Sequence, residues 1–276
     1  MSNTKKRHFI NICLLLATGA MVMIGVALLT YSPNKSINPL DGTIFAKKGE
    51  GEHMAQLQLS ASYNNEDSIP VFVYRGRIYV RNERNPLVYD VAKNLLGEQV
   101  GTTKDSLKGW YSDSNSSNQL PSNIGVSSIY KVKGYDSRFR LMTIHEDLQT
   151  GFMYECLNNV YIKDGSCFFR ELSLRENIES VAYQTLEEWN SSSSVFHEVE
   201  LDYEFLTMID QLYQSEFIDY GRDSKPNLYE LDRKIYYLTM KDGTVNELIV
   251  FSEDYIAYQG FAAYYVFDMR GRRKNT

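Results

Sequence analysis

The chain has 276 residues and an acidic balance, with 35 Asp and Glu against 29 Lys and Arg. An acidic surface repels polyanions, so the composition argues against binding to nucleic acid. The three cysteines are too few for a small domain built around disulfides.

The most informative part of the sequence is its N-terminal segment. A basic cluster at residues 5–7 precedes 23 uncharged residues, 9–31. A helix of that length spans about 34 Å, enough to cross a hydrocarbon core of about 30 Å. We interpret residues 9–31 as an uncleaved signal anchor, since a cleavable signal peptide, the alternative, has a shorter apolar core and a cleavage site between small residues. The basic cluster then predicts a cytoplasmic N-terminus, a single span of the cell membrane and an extracytoplasmic C-terminal part.

The sequence beyond the anchor unit, residues 1–32, divides into three regions. They are a stalk or linker over 33–67 with one short strand near its end, a mainly β domain over 68–190, and an α+β C-terminal lobe over 195–276. Three of the 29 basic residues and none of the 35 acidic residues lie before residue 33, so these regions carry a net charge of −9. The two folded regions form either one unit or two. The predicted fold class is α+β: a strand-dominated ectodomain with a C-terminal helix plus antiparallel sheet, preceded by one N-terminal transmembrane helix.

The predicted elements are mostly short strands separated by turn residues. In chain order the strands cover residues 70–75, 77–82, 129–132, 138–144, 152–157, 160–163, 167–174, 180–185, 234–240, 247–252, 255–258 and 264–269. Residues 88–97 are typical of a short helix, and residues 203–214 carry an apolar stripe at the spacing of an amphipathic helix. The Asp242-Gly243 pair is a strong signal for a hairpin between two C-terminal strands.

The hairpin at residues 69–82 offers a candidate ligand surface. A two-residue turn at Arg75-Gly76 would place four side chains on one face. They are Phe72, Tyr74, Arg77 and Tyr79. Aromatic rings and an Arg on one face suit a binding surface, but half-buried strands favour the same residues for packing against a neighbouring lobe. A longer loop would shift the register and exchange the two faces.

Catalytic and metal-binding motifs are absent from the sequence. The four histidines are scattered, no glycine pattern matches a phosphate loop, and no nucleophile signature occurs. We therefore predict no catalytic, cofactor-binding or metal-ligating residue. Cys156 and Cys167 are a candidate disulfide in an oxidising compartment, and two separate buried thiols are the alternative.

Several blocks of the sequence resemble a known group of proteins. The blocks are VFVYRGRIYV, LLGEQVGTTK, LPSNIGVSSIYKVKGYDSRFRL, YECLNNVYIKDG and VAYQTLEEWN. They are similar to uncharacterised exported proteins of Gram-positive bacteria, and the resemblance covers roughly residues 69–260. It implies a membrane-tethered module of the cell envelope with no established activity. Many members of the group are lipid-anchored, and this chain departs from them by its predicted helical span.

Two functions are compatible with the sequence. The first is a membrane-tethered extracytoplasmic binding, sensing or accessory protein, held in the membrane by residues 9–31 and directed at an unknown protein or envelope ligand. The second is an extracytoplasmic, hydrolase-like enzyme whose site is assembled from distant residues. The lack of a catalytic motif favours the first.

Overall fold

The computed structural model describes most of the chain beyond the predicted anchor. The described residues are 46–47, 49–55, 57, 59, 69–108, 110, 118–221, 224, 226–252, 254–261 and 264–270. The predicted membrane-spanning segment, 9–31, lies outside them. Within them the fold is α+β and dominated by strands, as the sequence predicts.

The secondary structure comprises short strands and a few short helices. The strands are β1 (Glu52–Met54), β2 (Val71–Tyr74), β3 (Arg77–Val88), β4 (Leu96–Asp105), β5 (Gln119–Ser122), β6 (Ser128–Val132), β7 (Arg140–His145), β8 (Thr150–Glu155), β9 (Val160–Ile162), β10 (Ile178–Thr185), β11 (His197–Val199), β12 (Glu216–Asp219), β13 (Arg233–Met240), β14 (Val245–Phe251), β15 (Tyr255–Tyr258) and β16 (Tyr265–Asp268). The helices are α1 (Tyr89–Leu95), α2 (Gly165–Leu172), α3 (Leu174–Asn177), α4 (Leu186–Asn190), α5 (Tyr203–Leu212) and a 3₁₀ turn at Leu228–Glu230.

Seven strands close into a barrel in the order β2-β3-β8-β7-β6-β4-β5. Neighbouring strands are antiparallel except β4 and β5, which are parallel. A buried cluster draws on residues from around the barrel and fills its interior. Its members are Phe72, Tyr79, Leu120, Ile129, Leu141, Tyr154 and Cys156. A second cluster, which includes Ala92 and Leu95 of α1, packs this helix against the strands.

The hairpin of β2 and β3 has the register that the two-residue turn predicts. Phe72 pairs with Tyr79 and Tyr74 with Arg77. Arg75 and Gly76 both have positive φ, 51° and 71°, as the central residues of a type I′ turn require. The prediction of a tight turn is confirmed, although Arg is an unusual first residue for it.

A second sheet of seven strands has the order β11-β10-β13-β14-β15-β16-β12. Helices α2 and α5 cover one of its faces through the largest hydrophobic cluster, which includes Phe168, Ile209 and Leu238. The opposite face is covered in part by the 3₁₀ turn, where Leu228 packs against Phe251. The predicted C-terminal helix plus antiparallel sheet is therefore present.

Two parts of the fold differ from the sequence predictions. The strand predicted over 167–174 is wrong, because residues 165–172 form helix α2. Part of the expected stalk, 33–67, belongs to the folded body. Strand β1 pairs with β9, and Leu57 and Leu59 pack against the outer surface of the barrel hairpin.

A buried polar network joins the barrel to the second sheet. Arg140 and Glu155 are register partners on β7 and β8, and their side chains are only 1% and 3% exposed. Arg140 Nε donates to Glu155 Oε1 over 2.8 Å. Its Nη2 donates to Asn246 Oδ1 over 2.7 Å and to the hydroxyl of Tyr258 over 3.0 Å. The Tyr258 hydroxyl in turn donates to Glu155 Oε1 over 2.8 Å. Two barrel strands and two strands of the second sheet thus share one set of charge-assisted hydrogen bonds.

The electrostatics of the network keep Arg140 charged and Tyr258 neutral. Burial lowers the pKa of the Arg140 guanidinium, but the adjacent Glu155 carboxylate outweighs burial, so the pKa lies well above its ordinary value. Burial, together with the charge of Glu155, raises the pKa of Tyr258 far above its usual range. Arg140 is therefore cationic and Tyr258 a neutral donor at any physiological pH.

Replacing Arg140 should destabilise the whole described fold. Arg140→Ala leaves the Glu155 carboxylate buried without its cation, which lowers the free energy of unfolding by about 3–5 kcal/mol. Tyr258→Phe, a milder change, should remove about 1–3 kcal/mol because it takes away one buried donor. Urea unfolding of the purified protein measures both.

Lys131→Ala is the matched control for this experiment. It removes an exposed ion pair with Glu98, and such pairs contribute about 1 kcal/mol or less. Equal losses for Lys131→Ala and Arg140→Ala would contradict the assignment of Arg140 as the link between the two sheets.

Candidate functional site

A polar cleft opens between helices α2, α3 and α5, with a volume of about 540 Å³. Seven residues line it. They are Arg170, Ser173, Arg175, Glu176, Asp210, Tyr213 and Gln214. The lining contains two cations, two carboxylates and three groups that can donate or accept hydrogen bonds. We take this cleft as the candidate binding site.

The first helix of the cleft is set close to the last turn of α5 by a glycine. A Cβ atom built on Gly165 would stand 1.8 Å from the carbonyl oxygen of Leu212, so only glycine permits this approach. Asp164 caps the helix, and its Oδ1 accepts from the amide of Cys167 over 3.1 Å and from the hydroxyl of Ser166 over 2.6 Å. Phe168 and Phe169 then face the core. The exposed side of α2 carries Arg170 into the cleft.

Ser173 makes the bend between α2 and α3. It is in the left-handed conformation with a φ of 48°, a geometry that costs about 1 kcal/mol for a residue other than glycine. The bend lets the chain reverse within one residue, and α3 begins directly after it. Arg175 is thereby brought across from Asp210 of α5.

Three side chains of the cleft are held by direct contacts. Arg175 Nε lies 2.7 Å from Asp210 Oδ1, and the Arg175 amide donates to the hydroxyl of Tyr213 over 3.3 Å. That hydroxyl donates to the carbonyl of Phe169 over 3.0 Å. Burial raises the pKa of Tyr213, so its hydroxyl stays protonated. These contacts order one wall of the cleft before any ligand arrives.

Arg170 is placed differently from Arg175. Its side chain is exposed, and within the described part of the chain its guanidinium makes no ion pair. Glu176 on the next helix is exposed as well. Among the described residues, neither the Arg170 guanidinium nor the Glu176 carboxylate is in an ion pair, so the cleft offers one cation and one carboxylate beside the Arg175–Asp210 pair. This arrangement suits a small polar ligand carrying both charges.

A second group of ionisable residues lies where the barrel meets α2. Arg138 Nε and Nη2 donate to Asp136 Oδ2 over 3.1 Å and 2.7 Å. These hydrogen bonds lower the pKa of Asp136. Burial and the charge of Asp136 raise the pKa of Glu171, and Arg138 partly opposes them. Two neighbouring carboxyl groups are thus shifted in opposite directions, which is a property of acid–base pairs.

The four residues of the predicted ligand surface are not presented together. Phe72 and Tyr79 are fully buried, and their rings stack at 5.2 Å inside the barrel. The Tyr79 hydroxyl donates to the carbonyl of Ser137 over 2.8 Å. Tyr74 and Arg77 are half-buried at the barrel end. The expected surface needs correcting, because closure of the barrel turns this face inward.

The two candidate cysteines are free thiols in the structure. Cys156 is buried in the barrel interior, and Cys167 lies on α2. Burial raises the pKa of both thiols. The sequence was compatible with a Cys156–Cys167 disulfide or with two separate thiols, and the structure has two separate thiols.

Comparison with known proteins gives no match to a protein-family model, a curated protein or a solved structure. No helix among the residues described has the length and apolar character needed to span a membrane. Over the same residues, no group of three or more His, Cys, Asp or Glu side chains is placed to hold a metal ion.

The lining residues of the cleft were not identified from the sequence. Arg170 and Ser173 lie in the segment 167–174, which was predicted as a strand. Asp210 lies on the polar side of the helix predicted over 203–214. The sequence does contain a signal for helix α2, at the start of that helix. Asp164 is a good N-cap, and the apolar residues 168, 169 and 172 have helical spacing.

The cap of α2 provides a pH-dependent test of how the cleft is supported. Burial would raise the pKa of Asp164, but hydrogen bonds from Ser166 and the Cys167 amide prevail and lower it. A lowered folded-state pKa stabilises the fold above the unfolded value of about 3.9, and the stabilisation is lost as pH falls through the folded-state pKa. Asp164→Ala should remove about 1 kcal/mol at pH 7 and progressively less below about pH 4.

Urea unfolding across this pH range measures the effect. Asp164→Asn is the control, because an amide oxygen still accepts from the helix amide but does not titrate. The difference in free energy of unfolding between Asp164→Asn and the native protein should become smaller at low pH, because residue 164 titrates in the native protein and not in the variant. An Asp164→Ala deficit that is the same at pH 3 and pH 7 would contradict the capping role.

Proposed function

We propose that this protein is a membrane-tethered extracytoplasmic binding protein that takes a small, doubly charged polar ligand in the cleft of α2, α3 and α5. One observation carries the proposal. The cleft presents Arg170 and Glu176 beside a wall already ordered by the Arg175–Asp210 pair and Tyr213. The wall formed by Arg175, Asp210 and Tyr213 is ordered in advance, so it loses little freedom when a ligand binds.

The location outside the membrane rests on the sequence. The uncharged run at 9–31 and the basic cluster before it support a single span with the folded part outside. A binding or sensing role fits a folded domain tethered to the membrane by its N-terminal segment. Its cleft lies between the helices that pack on the second sheet. The resemblance to exported proteins of Gram-positive bacteria points the same way.

A second candidate function is an extracytoplasmic hydrolase. The observation that favours it is the pair of carboxyl groups, Asp136 and Glu171, whose pKa values move apart at the junction of the barrel and α2. A carboxylate with a lowered pKa beside a carboxyl group with a raised pKa is the kind of pair that general base and general acid catalysis use. The cleft proposal ranks first because its residues line one cleft together, with charged groups of both signs.

The tether can be tested in a Gram-positive host that expresses the full chain with an epitope tag after Thr276. We expect the protein in the membrane pellet after a high-salt wash, because an apolar span is not released by salt. Protease added to intact cells should remove the tag. A fragment in the culture medium that begins near residue 33 would show cleavage and contradict the tether.

Ligand binding can be tested on the full chain in neutral detergent with glycylglycine, acetate and ethylamine as probes. Glycylglycine carries both charges and should raise the melting temperature more than either singly charged probe at the same concentration. Bound ligand at 100 times its Kd adds about 2.7 kcal/mol, and each kcal/mol corresponds to about 2–4 °C for a protein of this size. Arg170→Ala should abolish the difference.

The matched controls separate the two candidate functions. Lys93→Ala removes an exposed cation on the barrel helix α1 and should leave the shift unchanged. Glu171→Gln should also leave it unchanged, since Glu171 does not line the cleft. No preference for glycylglycine would contradict the cleft proposal. Hydrolysis of nitrophenyl glycosides that Glu171→Gln abolishes would establish the second candidate instead.

A further inference from the structure

Strand β11 is the end strand of the second sheet and has one exposed edge. It pairs with β10 through three register partners, which match Val199 to Val181, Glu198 to Ala182 and His197 to Tyr183. No other strand in the described part of the chain pairs with its outer side. The opposite end of the sheet differs, because Glu216 of β12 is bridged to Asp164, the second residue after β9. An end strand without a neighbour presents backbone groups that another strand can pair with.

The edge is held in strand conformation by its side chains. The His197 ring stacks on the Tyr183 ring at 4.9 Å, and His197 Nε2 lies 2.8 Å from Glu188 Oε1. The loop that precedes β11 is held by Gln184. Its Nε2 donates to the carbonyl oxygens of Ser193 and Val195 over 2.8 Å and 3.1 Å. A strand that is already ordered needs little reorganisation to accept another strand.

The chain around this edge is acidic to an unusual degree. Residues 176–221 contain eleven acidic residues and no Lys or Arg. They are Glu176, Glu179, Glu187, Glu188, Glu198, Glu200, Asp202, Glu204, Asp210, Glu216 and Asp219. Four of them lie on β11 or between it and the first turn of α5, all exposed. The four exposed carboxylates on and after β11 favour a cationic partner along this edge. The nearby cation is Lys234 of β13, whose Nζ lies 4.3 Å from the centre of the Tyr183 ring.

Large apolar side chains are exposed beside the same edge. Val195 stands before the strand with 50% of its surface exposed, and Leu201 and Tyr203 follow it with 37% and 87% exposed. Exposed apolar groups at both ends of a short strand, among carboxylates, match a partner in which apolar and basic residues alternate. In an added strand such residues point to opposite faces.

We propose that the outer edge of β11 binds an extended, basic segment of another protein as an eighth strand of the sheet. The partner segment alternates Lys or Arg with apolar residues, so that its backbone pairs with β11, its cations meet the carboxylates and its apolar side chains cover Val195 and Leu201. Strand addition of this kind takes affinity from the backbone and specificity from the side chains. A second copy of this chain is a poor occupant, because two acidic edges would repel each other.

This inference goes beyond the cleft and does not depend on it. The cleft lies on the helical layer over one face of the sheet, whereas the proposed partner adds to the edge of the sheet. Binding at one site can therefore be lost while binding at the other is retained.

The test uses the full chain in neutral detergent and a fluorescent octapeptide of alternating Lys and Val with blocked ends. We expect saturable binding in an anisotropy titration, weakened about tenfold between 30 and 300 mM salt because the Debye length shortens. The same peptide with N-methyl groups on every residue keeps its charge but lacks the backbone donors of both edges, and should not bind. Hydrogen exchange followed by mass spectrometry should show slower exchange over residues 195–201 with the unmodified peptide alone.

Charge reversal locates the site. Glu198→Lys combined with Glu200→Lys should weaken peptide binding at least tenfold while the melting temperature stays close to that of the native protein. The control reverses two carboxylates in the turn between β7 and β8, Glu146→Lys with Asp147→Lys. This variant should bind the peptide as the native protein does, to within about twofold.

Three results would overturn the proposal. Equal binding of the N-methylated peptide would mean attraction by charge without strand pairing. Absence of binding to the unmodified peptide would mean that the acidic edge only prevents association with other strands. Self-association of the protein that the Glu198→Lys, Glu200→Lys variant abolishes would identify a second copy as the occupant.

Discussion

The ion pair of Arg140 and Glu155 is the interaction on which the described architecture depends. Both side chains are buried, and two charges taken from water are tolerated only when they meet each other and gain further hydrogen bonds. Within the described residues Arg140 Nε and Nη2 gain them and Nη1 does not. Asn246 and Tyr258 supply those hydrogen bonds from the second sheet. The barrel therefore cannot bury this pair without the second sheet, and the two sheets are coupled by electrostatics as well as by their shared apolar core.

This coupling determines where the cleft and the free edge lie. The network and the shared core hold one face of the second sheet against the barrel and α2, and Gly165 lets α2 come within contact of the end of α5. The polar sides of α2, α3 and α5 are then left facing each other across the cleft. Strand β11 is the strand farthest along the sheet from β12, and no strand of the described residues covers its outer edge. The two proposed binding features are thus separate consequences of one arrangement.

The elements that the sequence predicted correctly are those specified by neighbouring residues. The hairpin of β2 and β3 has the predicted register, because alternation along each strand and a two-residue turn leave few other pairings. The Asp242-Gly243 hairpin and helix α5 were predicted for the same reason. Helix α2 was missed because its eight residues contain Cys and two adjacent Phe, which also suit a strand. Only the cap at Asp164 and the contact with α5 decide in favour of a helix.

What the sequence alone determined is the class of fold, the turns, the strands with local signals and the strongly acidic segment at 176–221. These features depend on residue types and on spacing over a few positions. Only the tertiary structure decided that Phe72 and Tyr79 face the interior, because a hairpin has two faces and barrel closure chooses which one is enclosed. It also decided that Arg170, Arg175 and Asp210 share a cleft, since residues up to forty positions apart meet only after the helices pack. A site made by packing has no local pattern, and this is why the sequence carried no sign of it.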